Sequence, residues 1–324
     1  LSITIFKEVE MKAERGLCRF LLAGFLAALF ACDAVGVVTN RWTQVAGGQF
    51  EASGNWTPAG PPTSEDTALF DAGSTTGRIR VTFSGSAAVT NRTANFTMSR
   101  NGVSNRWDFA IADNDGPTVY EAGYTRMGNN WLYYTDLLIS TGKLVSSQVL
   151  TAIGGRTWVT LDGPQSAWQI DDYLANSSGA EFNLTVQNGA SLAALAKNGG
   201  VSGTGNARHD IGSKRPDADL NRVMTIRVTG TNSTLLLTGA PTEYKATGNC
   251  RFELLDGAYA AFANLSILAS DRPFITVVSN ARLETAAFVI ASPGPSRTND
   301  MTLVNSTLVS SGQVHVAEYT GTAS

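Results

Sequence analysis

Short apolar runs alternate with polar residues along most of this chain. FNLTVQNG (Phe182–Gly189) and TIRVTG (Thr225–Gly230) place Phe, Leu, Val and Ile on one parity and Asn, Thr and Arg on the other. A period of two predicts half-buried strands, because successive side chains leave a strand on opposite faces. Asn-Gly or Asp-Gly then ends the run by supplying positive φ.

These strands recur as a unit. It reads branched apolar, any residue, Asn or Asp, a small residue, then Leu one or two positions on. Copies are VQNGASL (Val186–Leu192), LLDGAYA (Leu254–Ala260), VSNARL (Val278–Leu283) and LVNSTL (Leu303–Leu308). Looser copies are ISTGKLV (Ile139–Val145), VTLDGPQSAW (Val159–Trp168) and VTGTNSTLLL (Val228–Leu237). The small residue marks Gly142, Gly163, Gly189, Gly230, Gly257, Ala281 and Ser306, at intervals of 21, 26, 41, 27, 24 and 25. The long interval contains a polar insertion, 197–221, which reads as a loop bulging from one rung. A single rung of this length cannot bury enough apolar surface to offset about 1–2 kcal/mol of backbone entropy per residue. Stacked rungs complete one another's burial. The pattern therefore predicts an all-β parallel solenoid over 74–324. A β-sandwich is the alternative, since its strands also recur between turns.

The segment 35–73 differs from the rungs. GNWTPAGPPTSEDTALF (Gly54–Phe70) carries Pro58, Pro61 and Pro62, which neither a helix nor a central strand accommodates. A solenoid exposes unpaired edges at its ends. Trp42, Phe50, Trp56 and Phe70 supply the plates of an N-terminal cap, with Asn55 and Asp66 at its turns. The Asp66 carboxylate is placed to accept local backbone N–H bonds.

Composition sharpens this picture. Only 16% of residues are charged, against roughly 25% in ordinary soluble domains. Gly, Thr, Ser and Asn replace them, and these favour strands and turns over helix interiors. The net charge of −3 offers no basic footprint for nucleic acid. Residues 1–34 read as upstream residues and a signal peptide opening at Met11. Lys12, Arg15 and Arg19 precede a 12-residue apolar stretch, Phe20–Ala31. That stretch is too short for a bilayer, which needs about 20 residues. Cleavage after Ala34 is one outcome. Lipidation of Cys32, after Leu29-Phe30-Ala31, is the other, and would give a lipid anchor. Of the three cysteines only Cys250 lies in the mature body, so no disulfide framework is expected.

The order Gly47-Gly48-Gln49-Phe50, Gly54-Asn55-Trp56, Pro61-Pro62, Asp66, Ala68, Phe70 resembles an entry motif of bacterial exported β-helix proteins. These are autotransporter-passenger-like proteins and surface proteins with a C-terminal PEP-type sorting signal. NGASL and GTNSTL resemble their rungs. The resemblance implies a right-handed parallel β-helix, exported and without assigned catalysis. Such proteins end in a translocator barrel or a Pro-Glu-Pro anchor, whereas this sequence stops at VAEYTGTAS. The expectation is a chain incomplete at its C-terminus.

Candidate chemistry is sparse. A β-helix polysaccharide hydrolase needs two carboxylates flanking the scissile bond. Asp171-Asp172 are adjacent, so on a strand only one faces a groove. The charged segment Ala207–Asn221, with His209 and Asp210, reads as a solvated loop. ADNDG (Ala112–Gly116) and DADLN (Asp217–Asn221) resemble calcium loops but lack the required Gly and Glu positions. Two distant histidines and one mature cysteine predict no structural zinc. No catalytic, cofactor or metal residues are assigned. Tyr120, Tyr124, Trp131, Tyr133 and Tyr134 cluster within fifteen residues and are candidate carbohydrate contacts. The expectation is an extracellular or cell-surface scaffold or adhesin meeting polysaccharide or matrix. A polysaccharide lyase or hydrolase, or a non-catalytic carbohydrate-binding module, is the alternative.

Overall fold

The computed structural model describes residues 37–72, 77–83, 90–98, 104–111, 119–128, 134–151, 156–176, 181–197, 209–211, 223–246, 249–269, 274–292 and 299–318. The chain divides into two units, Leu1–Val38 and Thr39–Ser324, and the second is a parallel β-solenoid of about eight turns. No α-helix occurs among the described residues, and none of their helices is long and apolar enough to cross a membrane.

Three strand columns build the faces. The first stacks Arg156–Asp162, Glu181–Gln187, Val223–Thr229, Asn249–Leu255, Phe274–Ser279 and Asn299–Val304. The second stacks Ser166–Ile170, Ser191–Ala194, Thr234–Leu237, Tyr259–Phe262, Arg282–Thr285 and Thr307–Ser310. The third stacks Leu174–Asn176, His209–Ile211, Thr242–Ala246, Leu265–Ala269, Phe288–Ser292 and Val314–Glu318. Tyr134–Thr151, a strand of 18 residues, crosses all three faces in one turn. Every strand pair among the described residues is parallel except Arg41–Trp42 with Trp56–Thr57. Two face-to-face antiparallel sheets would give the opposite pattern, so the sandwich alternative is excluded.

The period-two reading sets the core. Ile139, Leu161, Val186, Val228, Leu254 and Val278 follow one another in register on the first face, all fully buried. Leu144, Trp168, Leu192, Leu235, Ala260 and Leu283 do the same on the second. Each fully buried large side chain contributes about 1.5–3 kcal/mol. The polar turn residues also align, at the corner between these two faces. Asn188, Asp256, Asn280 and Asn305 adopt φ between 48° and 57° there, and Gly163 and Gly230 hold the same register position at +97° and +91°. Their backbone links pass from turn to turn: Gly163 N–H donates to Gln187 O and Gly257 N–H to Asn280 O. Asn188 Nδ2 donates to Asp162 Oδ1 at 2.7 Å, one step of a side-chain ladder. The corner fixes the rung because only Gly, Asn and Asp visit the left-handed region at low cost.

The first turns hold an aromatic interior. Trp56 sits edge-on to Trp42 (5.1 Å), Phe50 (5.1 Å) and Phe70 (5.4 Å). All four are buried, and the indole N–H of Trp56 donates to Phe50 O at 2.7 Å. Asn55 Nδ2 donates to Gln49 O at 2.7 Å. Asp66 accepts from Thr63 N–H (2.8 Å) and Thr63 Oγ1 (2.7 Å).

The charged segment 207–221 departs from its reading as a solvated loop. His209–Ile211 within it is a strand of the third face, between Leu174–Asn176 and Thr242–Ala246. His209 is fully buried. Its Nδ1 accepts from Leu174 N–H (3.3 Å) and its Nε2–H donates to Thr238 O (3.0 Å). The imidazole links three consecutive turns, and both of its nitrogens are satisfied in the neutral form. Three residues are too few to carry a periodic signal, so charge around them hid the strand. Cys250 is buried. Cys32 and the two calcium-loop segments lie outside the described residues.

Candidate functional site

A groove of about 610 Å³ lies along the second face and the corner leading to the third. Register explains its walls. Arg92, Glu121, Val145 and Gln169 are successive partners in one outward column. Val119 and Lys143 are partners in the column beside it. Ala94, Gly123, Ser147 and Asp171 line the corner, with Ser64 from the proline-rich segment. Gly123 is required there by space: a Cβ would stand 2.0 Å from the carbonyl oxygen of Ala94.

The charged groups of the groove are linked. Arg92 bridges Glu121 at 2.7 Å. Lys143 Nζ donates to Gln169 Oε1 at 2.6 Å, and Gln169 Nε2 donates to Asp171 Oδ1 at 2.6 Å. Lys197 Nζ donates to the same oxygen at 2.6 Å. Burial alone would push the Asp171 carboxyl up. The hydrogen bonds from Lys197 and Gln169, with the charges of Lys197 and Lys143, outweigh it and hold the group below the ordinary carboxylate range. Asp172 turns the other way: it is buried and accepts from Gln148 Nε2 at 3.0 Å. The two carboxylates diverge, as adjacent residues must when the chain passes from one face toward the next. Among the described residues no three His, Cys, Asp or Glu side chains come together to hold a metal.

Tyr120, Tyr124 and Tyr134, the members of the aromatic cluster among the described residues, do not form one site. Tyr120 is a correction. It is fully buried, in register with Leu144, and its hydroxyl pairs with Thr93 Oγ1 at 2.9 Å. Burial pushes that phenol well above its ordinary pKa. Its neighbours Val119 and Glu121 take the outward parity, so Tyr120 cannot meet a surface ligand. Tyr124 is outward and half-buried just past the corner. Burial first, then Tyr173, raises its pKa against a smaller opposing effect of Arg126. Tyr173 lies two turns on in the same direction, beyond Gln148, and burial raises its phenol as well. Tyr134 belongs to the first face, edge-on to Trp158 at 5.0 Å with the Arg106 guanidinium 5.0 Å from its ring centre. Trp131 and Tyr133 lie outside the described residues. Sequence reasoning found Asp171 and missed Arg92, Glu121, Lys143 and Gln169. Their signal was their shared outward parity at rung spacing.

No protein family, no curated protein and no solved structure matches the chain.

Proposed function

We propose that this chain is an exported bacterial surface scaffold, whose stacked turns hold a lateral ligand-contacting face in place without turning the ligand over. One observation carries the reading. Five outward carboxylates are engaged by neighbours on their own or the adjacent turn: Asp108 by Arg80 (2.7 Å), Glu121 by Arg92, Asp171 by Lys197, Glu253 by Arg227 (2.5 Å) and Glu284 by Tyr259 (2.7 Å). A glycosidase needs one carboxyl held protonated as acid and another poised as base or nucleophile. Asp171 is instead clamped in its charged form. Cross-turn pairing of this kind suits a rigid rod better than a site that must exchange protons. The basic start of the apolar leader, Lys12 to Arg19, supports export.

Two measurements test this. Brief protease treatment of intact producing cells should remove the protein, and a protected protein would overturn export to the surface. Incubation with a polysaccharide panel, with detection of new reducing and unsaturated ends, should give no product. Reproducible cleavage abolished by Asp171→Ala would replace the scaffold with an enzyme.

A further inference from the structure

We propose that the groove is a binding site for an anionic polysaccharide, with Lys143 as the group that meets its negative charges. This rests on the scaffold reading and names the ligand of that same surface. In the groove cluster Asp171 is one carboxylate serving two ammonium groups. Lys197 takes it directly, and Lys143 reaches it only through the neutral amide of Gln169. Arg92 and Glu121 neutralise each other. Arg92 and Lys143 balance Glu121 and Asp171 within the lining, and Lys197, bonded to Asp171 beside it, brings the cluster to one positive charge in excess, in a chain of net charge −3. Among the described residues Lys143 makes one hydrogen bond, to a neutral oxygen, which leaves two of its three ammonium protons for an incoming anion.

Shape chooses the class of ligand. The lining crosses four turns, from Arg92 through Glu121 and Val145 to Gln169, a span of about 14 Å at the usual strand spacing. An open trough of that length suits a chain molecule lying along the axis. A strand-adding peptide needs a free backbone edge, whereas the described walls at Arg92, Glu121, Val145 and Gln169 are outer surfaces of paired strands. Ser147 and Gln169 instead offer hydroxyl and amide groups that match sugar hydroxyls. The anion is supplied by a carboxylate or a sulfate ester on the sugar.

The test uses the full chain in affinity electrophoresis and calorimetry. The probes are polygalacturonate, a sulfated galactan and neutral amylose. The expected result is binding to at least one of the two charged polymers, weakened by raising salt from about 50 to about 200 mM. Which polymer binds separates carboxylate from sulfate. Lys143→Gln should weaken that binding about tenfold or more, while Lys143→Arg retains most of it. Val145→Trp, which fills the trough from its wall, should also weaken it. Arg80→Gln, on a different face, should leave it unchanged. Each variant is checked for an unaltered urea midpoint. Binding of amylose alone, no binding of either charged polymer, or undiminished affinity in Lys143→Gln would overturn the proposal. The protease result on intact cells would still stand or fall separately.

Discussion

Gly163 and Gly239 give a direct way to weigh how tightly the turns are stacked. Both have positive φ, +97° and +79°. Alanine at either position is forced into the left-handed region, at a cost of roughly 1–2 kcal/mol. Their surroundings differ. A Cβ on Gly163 meets nothing within 4 Å. A Cβ on Gly239 would stand 2.1 Å from Leu195 O and 3.2 Å from Ala196 Cβ, on the preceding turn. That turn cannot swing aside cheaply, because Leu195 N–H is bonded to Ile170 O and Ala196 N–H to Asp172 O. Ordinary contact begins near 3.4 Å, so the turns must part by about 1 Å of a spacing of about 4.8 Å. Overpacking of this size costs typically about 1–3 kcal/mol more. Gly163→Ala should therefore lose about 1–2 kcal/mol and Gly239→Ala about 2–5 kcal/mol. Urea denaturation supplies the ranking. Amide hydrogen exchange localises it, since a stacked array need not unfold in one step. In Gly239→Ala, protection should fall first around Leu195, Ala196 and Thr242. Equal losses in the two variants would refute the close stacking on which this argument depends.

Other substitutions probe separate parts. His209→Leu leaves Leu174 N–H and Thr238 C=O without their partner, at about 1–3 kcal/mol for each buried group in urea unfolding. Burial lowers the His209 pKa below 6.5, against smaller opposing effects of the Thr238 bond and Asp172. The unfolded chain takes the proton first, so this contribution is complete above about pH 6.5 and is lost as pH falls through the folded value. His209→Leu should flatten that part of the stability profile, and an unchanged slope would reject the neutral, bonded imidazole. Trp56→Ala removes contacts to Trp42, Phe50 and Phe70 and should cost about 3–5 kcal/mol, with exchange rising first in Thr39–Trp42 and Thr67–Phe70. Leu192→Ala, in the middle of a fully buried column, should cost about 2–5 kcal/mol. Arg80→Ala, breaking an exposed pair, should cost under about 1 kcal/mol.

The architecture was legible because each turn repeats a demand that few residues meet. The corner needs a left-handed residue, and Gly163, Asn188, Gly230, Asp256, Asn280 and Asn305 announce it in the sequence, 25, 42, 26, 24 and 25 residues apart, the long interval being the one that holds the insertion. Their apolar neighbours then fix which parity points inward. The groove was not legible. Arg92, Glu121, Val145 and Gln169 stand 29, 24 and 24 residues apart, and only rung phase places them in one column. The early turns carry weaker corner signals, so that phase was missing where the groove lies. Tyr120 was misplaced for a related reason. Local density of aromatics says nothing about face, whereas its position between Val119 and Glu121 decides it. The short strand at His209 escaped because its partners are 35 and 33 residues away, at Leu174 and Thr242.

The central claim is that turns stack in parallel register, and paired cysteines on the outer side of the first face test it directly. Thr160 partners Thr185, and Thr185 partners Arg227 across 42 residues of sequence. Neighbours at a spacing of about 4.8 Å fall within disulfide reach, and positions two turns apart, at about 10 Å, do not. Thr160→Cys with Thr185→Cys, and Thr185→Cys with Arg227→Cys, should cross-link under mild oxidation of the folded chain. Thr160→Cys with Arg227→Cys should stay reduced. Cross-linking of that last pair, or failure of the first two in a folded protein, would contradict the solenoid.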